Sequence, residues 1–90
     1  MRAGTTLILK NVGGELHTFT NVGSSPTLGC VPPVNALFAG LGLPPAPDCS
    51  PAVFAATGVA AQTRRPMTIT KSGVYICLIH PWMRTDIKVI

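Results

Sequence analysis

The sequence predicts a single all-β domain over residues 1–90, folded as an antiparallel sandwich or barrel. The chain has 90 residues, of which 47% are apolar and 11% charged, so it fits one packed domain rather than a disordered polymer. Nine prolines and nine glycines favour short strands joined by turns over long helices. Five short segments rich in β-branched residues supply the strands.

The predicted strands lie at the two ends of the chain. Gly13 and Gly14 separate the first strand from the second and predict a hairpin between them. In the second strand, alternation places His17 and Phe19 on the face that we expect to point inward, opposite Thr18. The strands are predicted over residues 5–10, 15–22, 66–70, 74–77 and 85–90.

The middle of the chain, residues 23–51, is predicted to be a long Pro/Gly-rich loop. Seven of the nine prolines fall in it, and a loop of this length in a compact domain needs a tether. Cys30 and Cys49 lie near its ends, and a disulfide between them would contribute roughly 3 kcal/mol to stability. We expect that bridge, which would indicate an oxidising compartment; the alternative is two free, half-buried thiols.

A short helix is predicted directly after this loop. Ser50 is a favourable N-cap, Pro51 suits the first helical position, and Gly58 would end the helix after about two turns. A short strand over the same residues is the alternative.

The charge and hydropathy patterns argue against nucleic-acid binding and against a transmembrane segment. The net charge is +4, but the seven basic residues are dispersed and form no basic stripe, so we expect no nucleic-acid binding. No run of 18 apolar residues occurs, so no transmembrane segment is predicted, and the N-terminal apolar run is too short for a signal peptide. If the protein has a protein partner, we expect the partner to present an acidic docking face.

Three potential metal ligands, Cys77, His80 and Met83, occur within seven residues near the C-terminus. Residues three apart on a straight strand point to opposite faces, so Cys77 and His80 converge only if the chain turns directly after Cys77. Pro81 favours that turn because it fixes its own φ and keeps His80 out of the helical region. The second imidazole must come from His17, the only other histidine. A thiolate, two imidazoles and a weak axial thioether make up a blue-copper ligand set, which suits both Cu(I) and Cu(II).

These segments resemble the cupredoxin (type 1 blue copper) family, most closely its amicyanin- and plastocyanin-like members. The most specific feature of the resemblance is the Cys-x-x-His-Pro-x-Met spacing within Gly73–Met83. The segments Gly4–Asn11 and His17–Phe19 also resemble the family. The resemblance covers about half of the chain, roughly residues 3–22 and 66–90. It implies a Greek-key β-sandwich in the periplasm or outside the cell. It also implies one copper ion held by three equatorial ligands, His17, Cys77 and His80, with Met83 as the axial ligand.

The chain departs from the family at two places. The strands that precede the segment matched by Gly4–Asn11 have no counterpart, so the resemblance implies an N-terminally shortened cupredoxin with an uncovered sheet edge. Many members carry Asn after the first ligand histidine, where it ties the two ligand loops together. Thr18 occupies that position here, and we expect its hydroxyl to take over the role.

The sequence therefore predicts a non-enzymatic copper protein that transfers single electrons between redox partners. By resemblance, a partner would dock on an exposed apolar patch formed by Leu78, Ile79, Pro81 and Trp82. The main alternative is a copper-handling or storage module, or a non-catalytic cupredoxin domain of a larger copper oxidase. A cysteine nucleophile with a histidine base and a Cys/His₂ zinc site are less favoured, because no oxyanion loop is visible and zinc rarely takes a thioether.

Overall fold

Seven short strands and two short helices make up the protein, and the computed structural model describes residues 1–90. The strands are β1 (Thr5–Lys10), β2 (His17–Thr18), β3 (Thr20–Asn21), β4 (Gly58–Val59), β5 (Arg64–Ile69), β6 (Gly73–Ile76) and β7 (Arg84–Ile87), and the helices are α1 (Pro32–Ala36) and α2 (Pro51–Thr57). A 3₁₀ turn covers Ala39–Leu41. Neither helix has the length and apolar content that crossing a membrane requires.

The strands form three small antiparallel sheets, which confirms the predicted all-β class. β1 pairs with β5, β2 pairs with β4, and β3, β6 and β7 form the third sheet in that order. Four of the five predicted strands are present within three residues of their expected ends. The Greek-key connectivity implied by the family resemblance stays a prediction.

The predicted hairpin between the first two strands is wrong. β1 pairs with β5, and the segment 15–22 divides into β2 and β3, which pair with different partners. The side chain of Asn11 explains the difference, because it donates to the carbonyls of Glu15 at 2.7 Å and Val59 at 2.8 Å. The residues after β1 therefore close into a wide loop around Asn11 and do not form a two-residue turn.

The alternation predicted for the segment 15–22 is present from His17 onward, but the threonine face is the more deeply buried one. Thr18 and Thr20 are buried, whereas His17 and Phe19 are only half-buried. The threonines tolerate burial because their hydroxyls bond one another at 3.0 Å, and Thr20 also bonds the hydroxyl of Thr57 at 2.8 Å. The threonine face is thus a hydroxyl network, whereas on the other face Phe19 packs against Tyr75 and His17 lies at the boundary with solvent.

Strand β6 forms the centre of the core because its two faces pack against different layers. On one face, Val74 and Ile76 belong to an apolar cluster with Val22 and Leu78, covered by side chains from the middle segment and α2. On the other face, Tyr75 packs with side chains of β5 and β7 and with Leu7 of β1. The strand that leads to Cys77 is therefore fixed from both sides.

The disulfide and the short helix predicted in the middle of the chain are both present. Cys30 is bonded to Cys49, with their Cα atoms 5.6 Å apart. The Ser50 side chain caps α2 by accepting from the Val53 N–H, and Gly58 follows the last helical residue. The backbone and side chain of Ser50 also donate to Asp48 and lower the pKa of its carboxyl group.

Candidate metal centre

Three of the four predicted ligands meet at one point of the structure. Cys77 follows β6, His80 lies three residues later, and His17 opens β2. The Sγ atom of Cys77 lies 3.5 Å from Nδ1 of His80 and 3.7 Å from Nδ1 of His17. One donor atom from each residue falls within 4.8 Å of the others. Cys77 is buried, while both histidines are half-buried, so the cluster lies just beneath the surface.

The two sulfur–nitrogen distances fit a metal ion. Zn²⁺, a first-row ion close in size to copper, binds thiolate sulfur at about 2.3 Å and imidazole nitrogen at about 2.0–2.1 Å. In a trigonal or tetrahedral arrangement, these bond lengths separate the sulfur from each nitrogen by about 3.5–3.8 Å. Both observed sulfur–nitrogen distances fall within that range. The chemistry of the donors, one soft thiolate and two imidazoles, suits copper or zinc.

The chain turns directly after Cys77, as predicted. The Cys77 N–H donates to the Met83 carbonyl at 3.0 Å, and the Met83 N–H donates to the His80 carbonyl at 2.9 Å. The ring of Pro81 is fully buried at the apex of this turn. These contacts close residues 77–83 into a tight loop, here called the ligand loop, which returns His80 to the sulfur of Cys77.

Thr18 ties the strand of His17 to the ligand loop, as predicted. Its backbone N–H donates to Cys77 Sγ at 3.4 Å, and its hydroxyl accepts from the Leu78 N–H at 2.8 Å. The Thr18 N–H thus places the positive end of its dipole beside the sulfur. Thr18 therefore fixes both the position and the electrostatic surroundings of Cys77.

The disulfide-bonded middle segment braces the ligand loop from the opposite side. The Cys30 N–H donates to the Leu78 carbonyl at 2.7 Å. Gly29 passes so close to this carbonyl that an added Cβ atom would collide with it. The backbone of Leu78 is therefore held at its N–H by Thr18 and at its carbonyl by Cys30.

Met83, the predicted axial ligand, lies beside the cluster. The residue is 44% exposed. It lines a cavity of about 440 Å³ together with His17 and a second cavity together with Cys77. Coordination by its sulfur stays a prediction.

The exposed patch predicted around the ligand loop is partly wrong. Leu78 and Pro81 are buried, because Leu78 belongs to the apolar cluster on β6 and Pro81 closes the turn. Trp82 is exposed as predicted, with its ring 5.2 Å from that of His80 and 5.7 Å from that of Phe38. The apolar surface beside His80 is thus built from Trp82 and the end of the α1 region.

Sequence reasoning missed one polar partner of the cluster. Glu15 Oε2 lies 2.9 Å from His80 Nε2. The two residues are 65 positions apart, and Glu15 belongs to no motif, so no local pattern could have paired them.

Comparisons with protein-family models, with curated proteins and with solved structures gave no match to this chain. The functional interpretation therefore rests on the geometry of the cluster. This geometry offers a cysteine sulfur and two imidazole nitrogens to one ion near the surface.

Proposed function

We propose that the protein binds one copper ion and carries single electrons between partner proteins. The observation that carries this proposal is the position of Cys77 Sγ, 3.5 and 3.7 Å from the Nδ1 atoms of two histidines. When bound, copper supplies the one-electron Cu(I)/Cu(II) couple. His17, Cys77 and His80 would hold it, and Met83 would add a weak thioether donor that tunes the potential.

The hydrogen bonds around the cluster favour electron transfer over a flexible storage site. Cys77 and Leu78 are tied to Thr18, and the ligand loop is closed by its own backbone bonds. A ligand set held in this way changes little between the two oxidation states, which lowers the reorganisation that accompanies each transfer. A storage module has no need of such rigidity.

The surroundings of Cys77 disfavour a catalytic nucleophile. The residue is only 3% exposed, so a substrate has little access to its sulfur. A neutral thiol carries a single proton and needs one base, yet two imidazoles face the same sulfur. Two nitrogen donors on one thiolate are better explained by coordination of a shared ion.

A redox partner would dock where His80 approaches the surface, against Trp82 and the half-buried Ile79. Arg84 lies next to this surface and donates to the Pro81 carbonyl at 3.2 Å. Together with the overall charge of +4, it supports a partner with acidic groups. The disulfide supports a periplasmic or extracellular location, where such bonds persist.

Copper titration with visible spectroscopy and voltammetry tests the proposal. We expect one Cu(II) per chain, an intense thiolate-to-copper charge-transfer band and a reversible one-electron wave. Cys77→Ser removes the sulfur with little change in size, so the variant should lose the band.

Three results would contradict the proposal. They are a Cu(II)-loaded protein without the band, a strong preference for zinc, and tight Cu(I) binding with no stable Cu(II) form. The last result would favour the copper-handling alternative.

A further inference from the structure

The imidazole of His80 makes a second contact on the edge that points away from Cys77. Its Nε2 lies 2.9 Å from the Glu15 carboxylate, while its Nδ1 lies 3.5 Å from Cys77 Sγ. We propose that Glu15 is a positioning residue for the copper site, whose carboxylate holds the proton of His80 on Nε2 and thereby presents Nδ1 to the ion. The inference rests on the proposed copper site and adds a residue that controls its affinity and potential.

The hydrogen bond fixes the tautomer because a carboxylate can only accept. A neutral imidazole carries one proton, and the bond to Glu15 keeps it on Nε2 of His80. The lone pair of Nδ1 then faces Cys77, where coordination requires it. The other tautomer would direct an N–H toward the ion and would leave the Glu15 bond unmade.

The backbone beneath Glu15 is held in place, although its side chain is 73% exposed. The buried side chain of Asn11 donates to the Glu15 carbonyl at 2.7 Å and to the Val59 carbonyl at 2.8 Å. The Gln62 side chain donates to two further carbonyls of the same loop at 2.8 and 2.9 Å. Val59 also pairs with His17, because β4 pairs with β2. The loop that carries Glu15 therefore leads directly into His17, while the Glu15 side chain contacts His80.

The contact is specific to Glu15. The chain has three acidic residues, Glu15, Asp48 and Asp86, and only the Glu15 carboxylate contacts a histidine. A carboxylate on the outer nitrogen of a ligand histidine makes the imidazole a stronger donor and brings a negative charge near the ion. Both effects favour Cu(II) over Cu(I), so Glu15 lowers the reduction potential.

Two substitutions at position 15 separate the hydrogen bond from the charge. Glu15→Gln keeps an acceptor oxygen and loses the charge, whereas Glu15→Ala loses both. Asp86→Asn is the matched control, because Asp86 is an exposed carboxylate on β7 that makes no contact with a ligand. Exposed ion pairs contribute little to stability, so all three variants are expected to fold.

Competition titrations with Cu(II) and voltammetry of the copper-loaded proteins give the first readout. We expect Glu15→Ala to weaken Cu(II) binding about tenfold, the low end of such effects because the side chain is exposed. Glu15→Gln should retain most of the affinity, both variants should have a higher potential than the wild type, and Asp86→Asn should change neither quantity.

The ¹⁵N chemical shifts of His80 in the metal-free protein give a second readout that needs no copper. In mildly alkaline solution, where an ordinary imidazole is neutral, the wild type should show the proton on Nε2. Glu15→Ala should show a mixture of both tautomers.

If Glu15→Ala and the wild type have the same Cu(II) affinity, reduction potential and His80 tautomer, the role of Glu15 is overturned. The proposed function then still stands, provided that the copper-loaded wild type shows the charge-transfer band. A wild type that binds no copper would instead overturn the proposed function. The His80 shifts would then still report whether Glu15 sets the tautomer. The two failures are therefore distinguishable.

Discussion

The sulfur of Cys77 is surrounded by groups from distant parts of the chain. His17 and Thr18 approach it from β2, and His80 approaches it from the ligand loop. The spacing of Cys77, His80 and Pro81 predicted the turn after Cys77 and the two donor residues that the ligand loop supplies, Cys77 and His80. The choice of His17 came from elimination, because it was the only other histidine. Glu15 could not be found in this way, since exposed carboxylates rarely have a signature in sequence.

Thr18 should contribute to both the fold and the site through its hydroxyl. Thr18→Val keeps the size of the side chain but leaves the buried Leu78 N–H without an acceptor. We expect a loss of about 1–3 kcal/mol in the free energy of unfolding, measured by denaturant titration. Thr18→Ser retains the hydroxyl and serves as the control; equal losses in the two variants would show that the hydroxyl contributes nothing.

Met83→Leu tests the axial ligand. The side chain is partly exposed, so this change of similar volume should leave the melting temperature nearly constant. Leucine cannot donate to Cu(II), so the charge-transfer band should remain while the reduction potential rises. An unchanged potential, measured by voltammetry, would show that the Met83 sulfur is not a ligand.

At the scale of elements, the strands were predictable and their pairing was not. β1, β5, β6 and β7 carry the β-branched residues that mark strands, and each is present within three residues of its expected ends. The pairing of β1 with β5 depends instead on the wide loop that Asn11 closes through Val59, which lies 48 residues away. A contact of that separation leaves no local pattern, so the adjacent glycines favoured a hairpin that does not form.

The segment that carries Cys30 supports the ligand loop through a close backbone approach at Gly29. Gly29→Ala would push a methyl group into the Leu78 carbonyl, so we expect a loss of about 1–3 kcal/mol in stability and weaker copper binding. Gly40→Ala is the control, because an added Cβ meets no atom within 4 Å there. Thermal melts of the two variants with matched copper titrations would reveal the difference; equal behaviour would contradict the bracing role.

At the scale of the whole molecule, the core is small and depends on tethers. Only 16 of the 90 residues are buried, and the apolar clusters on either side of β6 contain four and three of them. A core of this size supplies limited stability by itself. The short chain length predicted that the domain requires extra tethers. The two cysteines at the ends of the Pro/Gly-rich segment predicted one such tether, the disulfide.

Removal of the disulfide should have a large effect. Replacing both Cys30 and Cys49 with alanine releases a loop whose ends are 19 residues apart, which should lower stability by roughly 3 kcal/mol. For a domain of this size, that corresponds to a fall in melting temperature of roughly 12–24 °C. A melting temperature close to that of the wild type would show that the hydrogen bonds of the middle segment suffice without the bridge.

The coordination of copper is tested most directly by X-ray absorption at the copper edge of the loaded protein. We expect one short copper–sulfur distance together with two imidazole nitrogens, and the loss of the sulfur contribution in Cys77→Ser. A first shell of nitrogen and oxygen alone in the wild-type protein would contradict the convergence of His17, Cys77 and His80 on one ion.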